Sequence, residues 1–147
     1  MKNLASSLAF AVFTLVALTD LKAGDALADN PELKKFQGSW KMVSLEDKTK
    51  KWAKDELPVV KLVIEGEDMI THLSDGGTVK SKIKPNGDAD PHELDSTAGG
   101  KVFRGIYKIE GDTLTMCSTG IDSPRPKKFD VKETEGSGGL TVYRRIK

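Results

Sequence analysis

Few side chains in this 147-residue sequence could do chemistry by themselves. It has two histidines, His72 and His92, and one cysteine, Cys117. A structural or catalytic zinc site needs several such ligands brought together, and neither histidine has a second ligand-type residue at zinc-site spacing. Asp88, Asp90, Glu93 and Asp95 crowd around His92. Clustered carboxylates can hold calcium, but Pro91 interrupts this run and its spacing is not that of a calcium loop, so it reads as a solvated turn. The sequence contains neither a Gly-x-Ser-x-Gly elbow nor a phosphate-cradling glycine loop. No nucleophile stands beside a partner base. The expectation is a protein that is not an enzyme and takes no metal or cofactor. A lone thiol cannot form an internal disulfide, and Cys117 reads as a small buried hydrophobe. Trp52 among Lys48, Lys50, Lys51 and Lys54 could suggest nucleic acid. A net charge of only +1 speaks against that partner. The lysine-rich stretch reads instead as a loop at one mouth of the fold, where binding surfaces tend to sit.

The elements that must position these residues begin after an amino-terminal export signal. Met1-Lys2-Asn3 is followed by an uncharged, apolar run from Leu4 to Leu18. A positive start, a short apolar core and then small residues is the layout of a secretory signal. The run is shorter than the ~20 residues of a membrane-spanning helix. Cleavage fits after Ala23 or after Ala28, giving a signal over 1–28 and one domain over 29–147. The expected location is periplasmic or extracellular, with no membrane span once the signal is removed. Asn30-Pro31-Glu32 then starts a helix of one or two turns that stops before Gly38.

From Trp40 onward the pattern has the period of strands. Expected strands are Trp40–Glu46, Val59–Glu65, Asp68–Ser74, Thr78–Lys84, Glu93–Thr97, Lys101–Glu110, Thr113–Thr119, Lys128–Glu133 and Leu140–Lys147, with a helical turn near Asp55–Leu57. Asp75-Gly76, Asn86-Gly87 and Gly111-Asp112 lie between alternating runs and are hairpin signals. The connections are too short for parallel crossovers. The fold class is therefore all-β: an antiparallel up-and-down meander of about eight strands, closed on itself into a barrel, since an open sheet would leave its edges bare.

Alternation assigns the inner wall. Trp40 and Met42 share a face, as do Val60, Leu62 and Ile64. Met69, Thr71 and Leu73 share another, followed by Val79, Ser81 and Ile83. Phe103, Gly105, Tyr107 and Ile109 continue it, with Leu114 and Met116, then Leu140 and Val142. Charged residues such as Lys61, Glu65, Lys80, Lys82, Arg104 and Lys108 fall on the other face. The small residues on this wall leave room for a ligand, although a barrel of this size can also be filled by its own side chains.

Gly38-Ser39-Trp40 after a short helix, together with Val142-Tyr143-Arg144-Arg145 on the last strand, resembles the lipocalins. The stretch Gly38–Glu46, with Leu62–Gly66, Arg104–Tyr107, Gly111–Leu114 and Arg125–Phe129, more closely resembles a lipocalin-like domain family seen mainly in exported planctomycete proteins. The resemblance covers roughly Leu33–Lys147. It implies that Gly38 and Trp40 sit at the closed end of the barrel and that an arginine from the last strand packs across the indole. Strand parity favours Arg144 for that role and the resemblance favours Arg145. It implies no catalytic residue, and the Thr-Asp-Tyr turn of longer lipocalins is absent from this sequence.

Two functions follow as expectations. The first is a monomeric carrier or sensor for a small apolar molecule, lined by Met42, Ile64, Met69, Phe103, Tyr107 and Met116, with methionines adapting to ligand shape. The second is a protein-binding module, such as a protease inhibitor that inserts the arm Asp29–Gln37 into its target.

Overall fold

The computed structural model describes residues 27–147. The apolar segment expected to be an export signal, with its cleavage point after Ala23, lies outside the described residues. Ala28, the alternative point, is exposed.

A short helix α1 (Leu33–Phe36) precedes eight strands: β1 (Gly38–Glu46), β2 (Val59–Glu65), β3 (Asp68–Leu73), β4 (Thr78–Asn86), β5 (Glu93–Ala98), β6 (Lys101–Glu110), β7 (Thr113–Ile121) and β8 (Gly139–Arg145). Each strand pairs antiparallel with the next, and β8 returns to pair with β1. The sheet is a closed up-and-down barrel, and closure removes every free edge.

Register sets which side chains point inward. Leu62 opposite Thr71, Met69 opposite Ser81, Ile83 opposite Ser96, Leu94 opposite Gly105 and Tyr107 opposite Met116 carry the inner face around the wall. Two expectations about this face need correction. Val60 is half exposed, because a bulge between Val59 and Lys61 takes it out of the alternation and leaves Val59 facing the core. On β8, Met116 opposite Thr141 and Leu114 opposite Tyr143 put Thr141, Tyr143 and Arg145 inside, so Leu140 and Val142 face outward. The two apolar residues gave a parity signal that the pairing with β7 overrides.

The end holding the β2–β3, β4–β5 and β6–β7 turns is plugged. Leu33 and Phe36 of α1 are buried there beside Trp40, which is fully enclosed. The Trp40 indole N–H donates to the Phe36 carbonyl at 2.7 Å. The Arg145 guanidinium lies 4.0 Å from the centroid of the indole and donates to the carbonyls of Gln37 and Lys35. Arg144 is exposed and pairs outward, so Arg145 and not Arg144 seals the plug. Gly38 has φ +104°, a backbone shape L side chains rarely adopt, and a Cβ there would sit 3.5 Å from the Arg145 Nη1. Gln37 bonds both backbone groups of Gly66 in the β2–β3 turn. Tyr107 donates to Glu32 at 2.6 Å and meets the Phe36 ring edge-on at 4.8 Å. Partial burial pushes the Glu32 carboxyl up, but hydrogen bonds from Lys35 and Tyr107 outweigh it and hold the group below its usual range.

The segment between β7 and β8 is not a strand. Lys128–Glu133, expected to be one, contains a single 3-10 turn at Val131–Glu133, capped by the Asp130 side chain. The segment forms a strap over the outer wall. Beneath it Ile106 and Cys117, neighbours across β6 and β7 on the outer face, are almost completely buried. Arg125 fastens the strap, donating to the Gly105 carbonyl at 2.7 Å and to Asp95 at 2.6 Å, with Glu93 3.6 Å away. Two of the clustered acids near His92 are thus ion-pair partners of Arg125.

Candidate functional site

At the opposite end the barrel is not filled. A cavity of about 200 Å³ lies inside the wall, lined by Met69, Leu94, Ser96, Phe103, Gly105, Met116 and Ser118 among others. It exists because successive strands put short side chains inward at this level. Ser96 stands opposite Phe103 and Gly105 opposite Ser118, so large and absent side chains alternate around the ring. Farther out, Val79 shares the inner face and is exposed at the rim.

A second space of about 370 Å³ adjoins the first and shares Ser118 with it. Its walls come from the β1–β2 loop (Asp47, Lys48, Thr49, Trp52), from the inner residues Leu45 and Thr141, and from Gly136–Gly139. The loop is held by one carboxylate. Asp47 accepts from the Thr49 hydroxyl and backbone N–H, from the Lys50 N–H, and, on its other oxygen, from the Trp52 indole at 2.8 Å. Those donors, the Thr49 hydroxyl foremost, hold Asp47 far below the usual carboxylate range. Lys50 covers the Trp52 ring at 4.1 Å and pairs with Glu56. The glycines on the far side are required by crowding: a Cβ on Gly138 would lie 2.3 Å from the Ser118 carbonyl oxygen.

The six residues expected to line a ligand site therefore divide. Met69, Phe103 and Met116 line the cavity. Met42, Ile64 and Tyr107 also face inward but are buried in the core cluster with Leu33, Phe36 and Trp40 and do not line the cavity, whose Met69 and Met116 pack against that cluster. Leu94, Ser96, Gly105 and Ser118 line the cavity as well, together with Ile106 and Cys117. The inner wall read from the sequence did not include Leu94 or Ser96, although the alternation Glu93-Leu94-Asp95-Ser96 is the signal that could have placed them there.

Among the described residues, both histidines and the cysteine have packing or backbone neighbours. His92 packs its ring 5.4 Å from Tyr107 and has Nδ1 3.0 Å from the Ala89 carbonyl oxygen. His72 faces outward, opposite Lys61 on β2. Burial pushes the Cys117 thiol up to about 11, away from nucleophilic reactivity. Among the described residues, no group of three or more His, Cys, Asp or Glu side chains is placed to hold a metal ion. Nor is any helix among them long and apolar enough to cross a membrane.

Searches of family models, curated proteins and solved structures give no match to this chain. The chemistry of the site rests on its own geometry: an apolar cavity with two hydroxyls, and beside it a polar chamber with an indole in its wall, Ser118 being common to both linings.

Proposed function

We propose that this protein is an exported, monomeric, lipocalin-like carrier or sensor that holds a small apolar molecule in the open half of its barrel. The observation that carries this reading is the cavity bounded by Met69, Leu94, Phe103 and Met116 at a level where Ser96 and Gly105 leave the wall short. An apolar void inside a closed barrel favours apolar guests, since water gains few hydrogen bonds there. The Gly-x-Trp start with Arg145 over the indole supports the lipocalin-like comparison. The amino-terminal apolar run supports export.

The structure also weighs on the protein-binding alternative. The arm Asp29–Gln37 would have to leave the barrel to enter a target. Leu33 and Phe36 on that arm are buried in the plug, and Gln37 is bonded to Gly66. Removing the arm would unplug the barrel, which favours the ligand-carrier reading.

Titration with n-hexanol tests it, followed by the emission of Trp52, which borders the outer chamber. Saturable binding is expected. The Ser96→Leu variant, which fills the cavity, should fold and lose that response. A linear, non-saturating response, identical in wild type and Ser96→Leu, would contradict the proposal.

A further inference from the structure

The inner cavity is too small to hold a whole ligand of ordinary size. Small-molecule sites usually enclose roughly 300 Å³ or more, against about 200 Å³ here. A longer guest needs a second space, and the chamber that shares Ser118 with the cavity is the neighbouring one. The two spaces differ in chemistry. The inner one is walled chiefly by thioether, aromatic and aliphatic groups. The outer one presents Lys48, Thr49, Ser137, Thr141 and the backbone of Gly136–Gly139. A single molecule that satisfies both has an apolar tail and a polar head.

The sign of the head follows from the charges at the chamber. Asp47 is the acid on its wall, and the Thr49, Lys50 and Trp52 donors already occupy both of its oxygens. Lys48 forms no ion pair within 4.0 Å among the described residues, whereas Lys50 is engaged with Glu56 and Trp52. A groove that continues outward adds Lys51 and Lys132, giving, apart from the Lys50–Glu56 pair, three lysines against Glu46 and Asp47 around the chamber and groove.

Resting on the carrier reading above, we infer that the ligand is a single-chain amphiphile with an anionic head, its tail in the Met69–Phe103–Met116 cavity and its head beside Lys48. The tail length is bounded by volume. A methylene fills about as much space as a water molecule in the liquid, roughly 30 Å³, so the cavity takes about six carbons.

Calorimetric titration of the full chain with linear alkyl carboxylates and the matching alcohols, from four to twelve carbons and below micelle-forming concentrations, tests this. Each added methylene should tighten binding about fourfold while it still enters the cavity. The gain should stop near six or seven carbons. At equal length the carboxylate should bind about three- to fivefold tighter than the alcohol, an advantage that fades at high salt. Lys48→Ala should erase that advantage and leave the alcohol unchanged. If alcohols and carboxylates bind alike, or if Lys48→Ala leaves the preference intact, the anionic head is wrong while the carrier reading stands. A gain that continues without a break to twelve carbons overturns the tail assignment. If neither series binds, both readings fall.

Discussion

The two ends of this barrel are built from the same eight strands and serve opposite purposes. At the plugged end, large side chains meet: Phe36, Trp40 and Tyr107 pack together, the indole N–H and the phenol are satisfied by the Phe36 carbonyl and Glu32, and Arg145 covers the indole. At the mouth, Ser96, Gly105 and Ser118 face inward where bulk would close the barrel, and the wall stops short of itself. A domain this small has little core to spare. The plug supplies the stability that lets the other half stay hollow. The division also explains why three of the six expected lining residues are absent from the cavity. Met42, Ile64 and Tyr107 are inward by parity, but parity along a strand says nothing about depth along the barrel axis.

Deleting the centre of each half should break this contrast most sharply. Trp40→Ala removes a fully enclosed side chain from the plug and should cost about 3–5 kcal/mol in a denaturant melt. Met116→Ala enlarges a void that already lacks partner atoms on one side and should cost only about 1–2 kcal/mol. Equal losses would show that the mouth is packed as firmly as the plug.

The adjacent arginines of β8 sharpen the comparison within one strand. Arg145→Ala loses the indole contact and two carbonyl partners, and should destabilise by about 2 kcal/mol. Arg144→Ala, one residue earlier and facing outward, should stay within about 0.5 kcal/mol. The sequence left these two open. What decides between them is the register of β1 with β8, in which Trp40 stands opposite Arg145.

The outer strap should give a smaller, local effect. Arg125→Ala removes charge-assisted bonds to Gly105 and Asp95. A loss of about 1.5 kcal/mol corresponds to roughly tenfold more frequent local opening. Labelling of Cys117 by a thiol reagent should accelerate by that factor at mildly alkaline pH, while the global melt shifts little. In the wild type the thiol, pushed up to about 11 by burial, should react only slowly. An unchanged labelling rate would mean that Arg125 does not hold the strap down.

Much of the fold was legible because its signals are local. Alternation gave the inner faces of six of the eight strands, and glycine-containing turns marked the hairpins. The failures share one cause. Val60 was displaced by a bulge, Leu140 and Val142 were reversed by pairing with β7, and Lys128–Glu133 was folded onto the outside by Arg125. Each depends on a partner distant in sequence. The candidate site was half legible for the same reason: Met69, Phe103 and Met116 could be found by parity, but the level at which the plug ends could not.

The division into a solid end and a hollow end is tested most directly by methyl-labelled methionine NMR during a hexanol titration. Met69 and Met116 line the cavity, while Met42 lies in the plugged core. Saturable shifts of the Met69 and Met116 methyl signals with Met42 unmoved are the predicted result. Three unmoved signals, or a Met42 shift as large as the others, would contradict it.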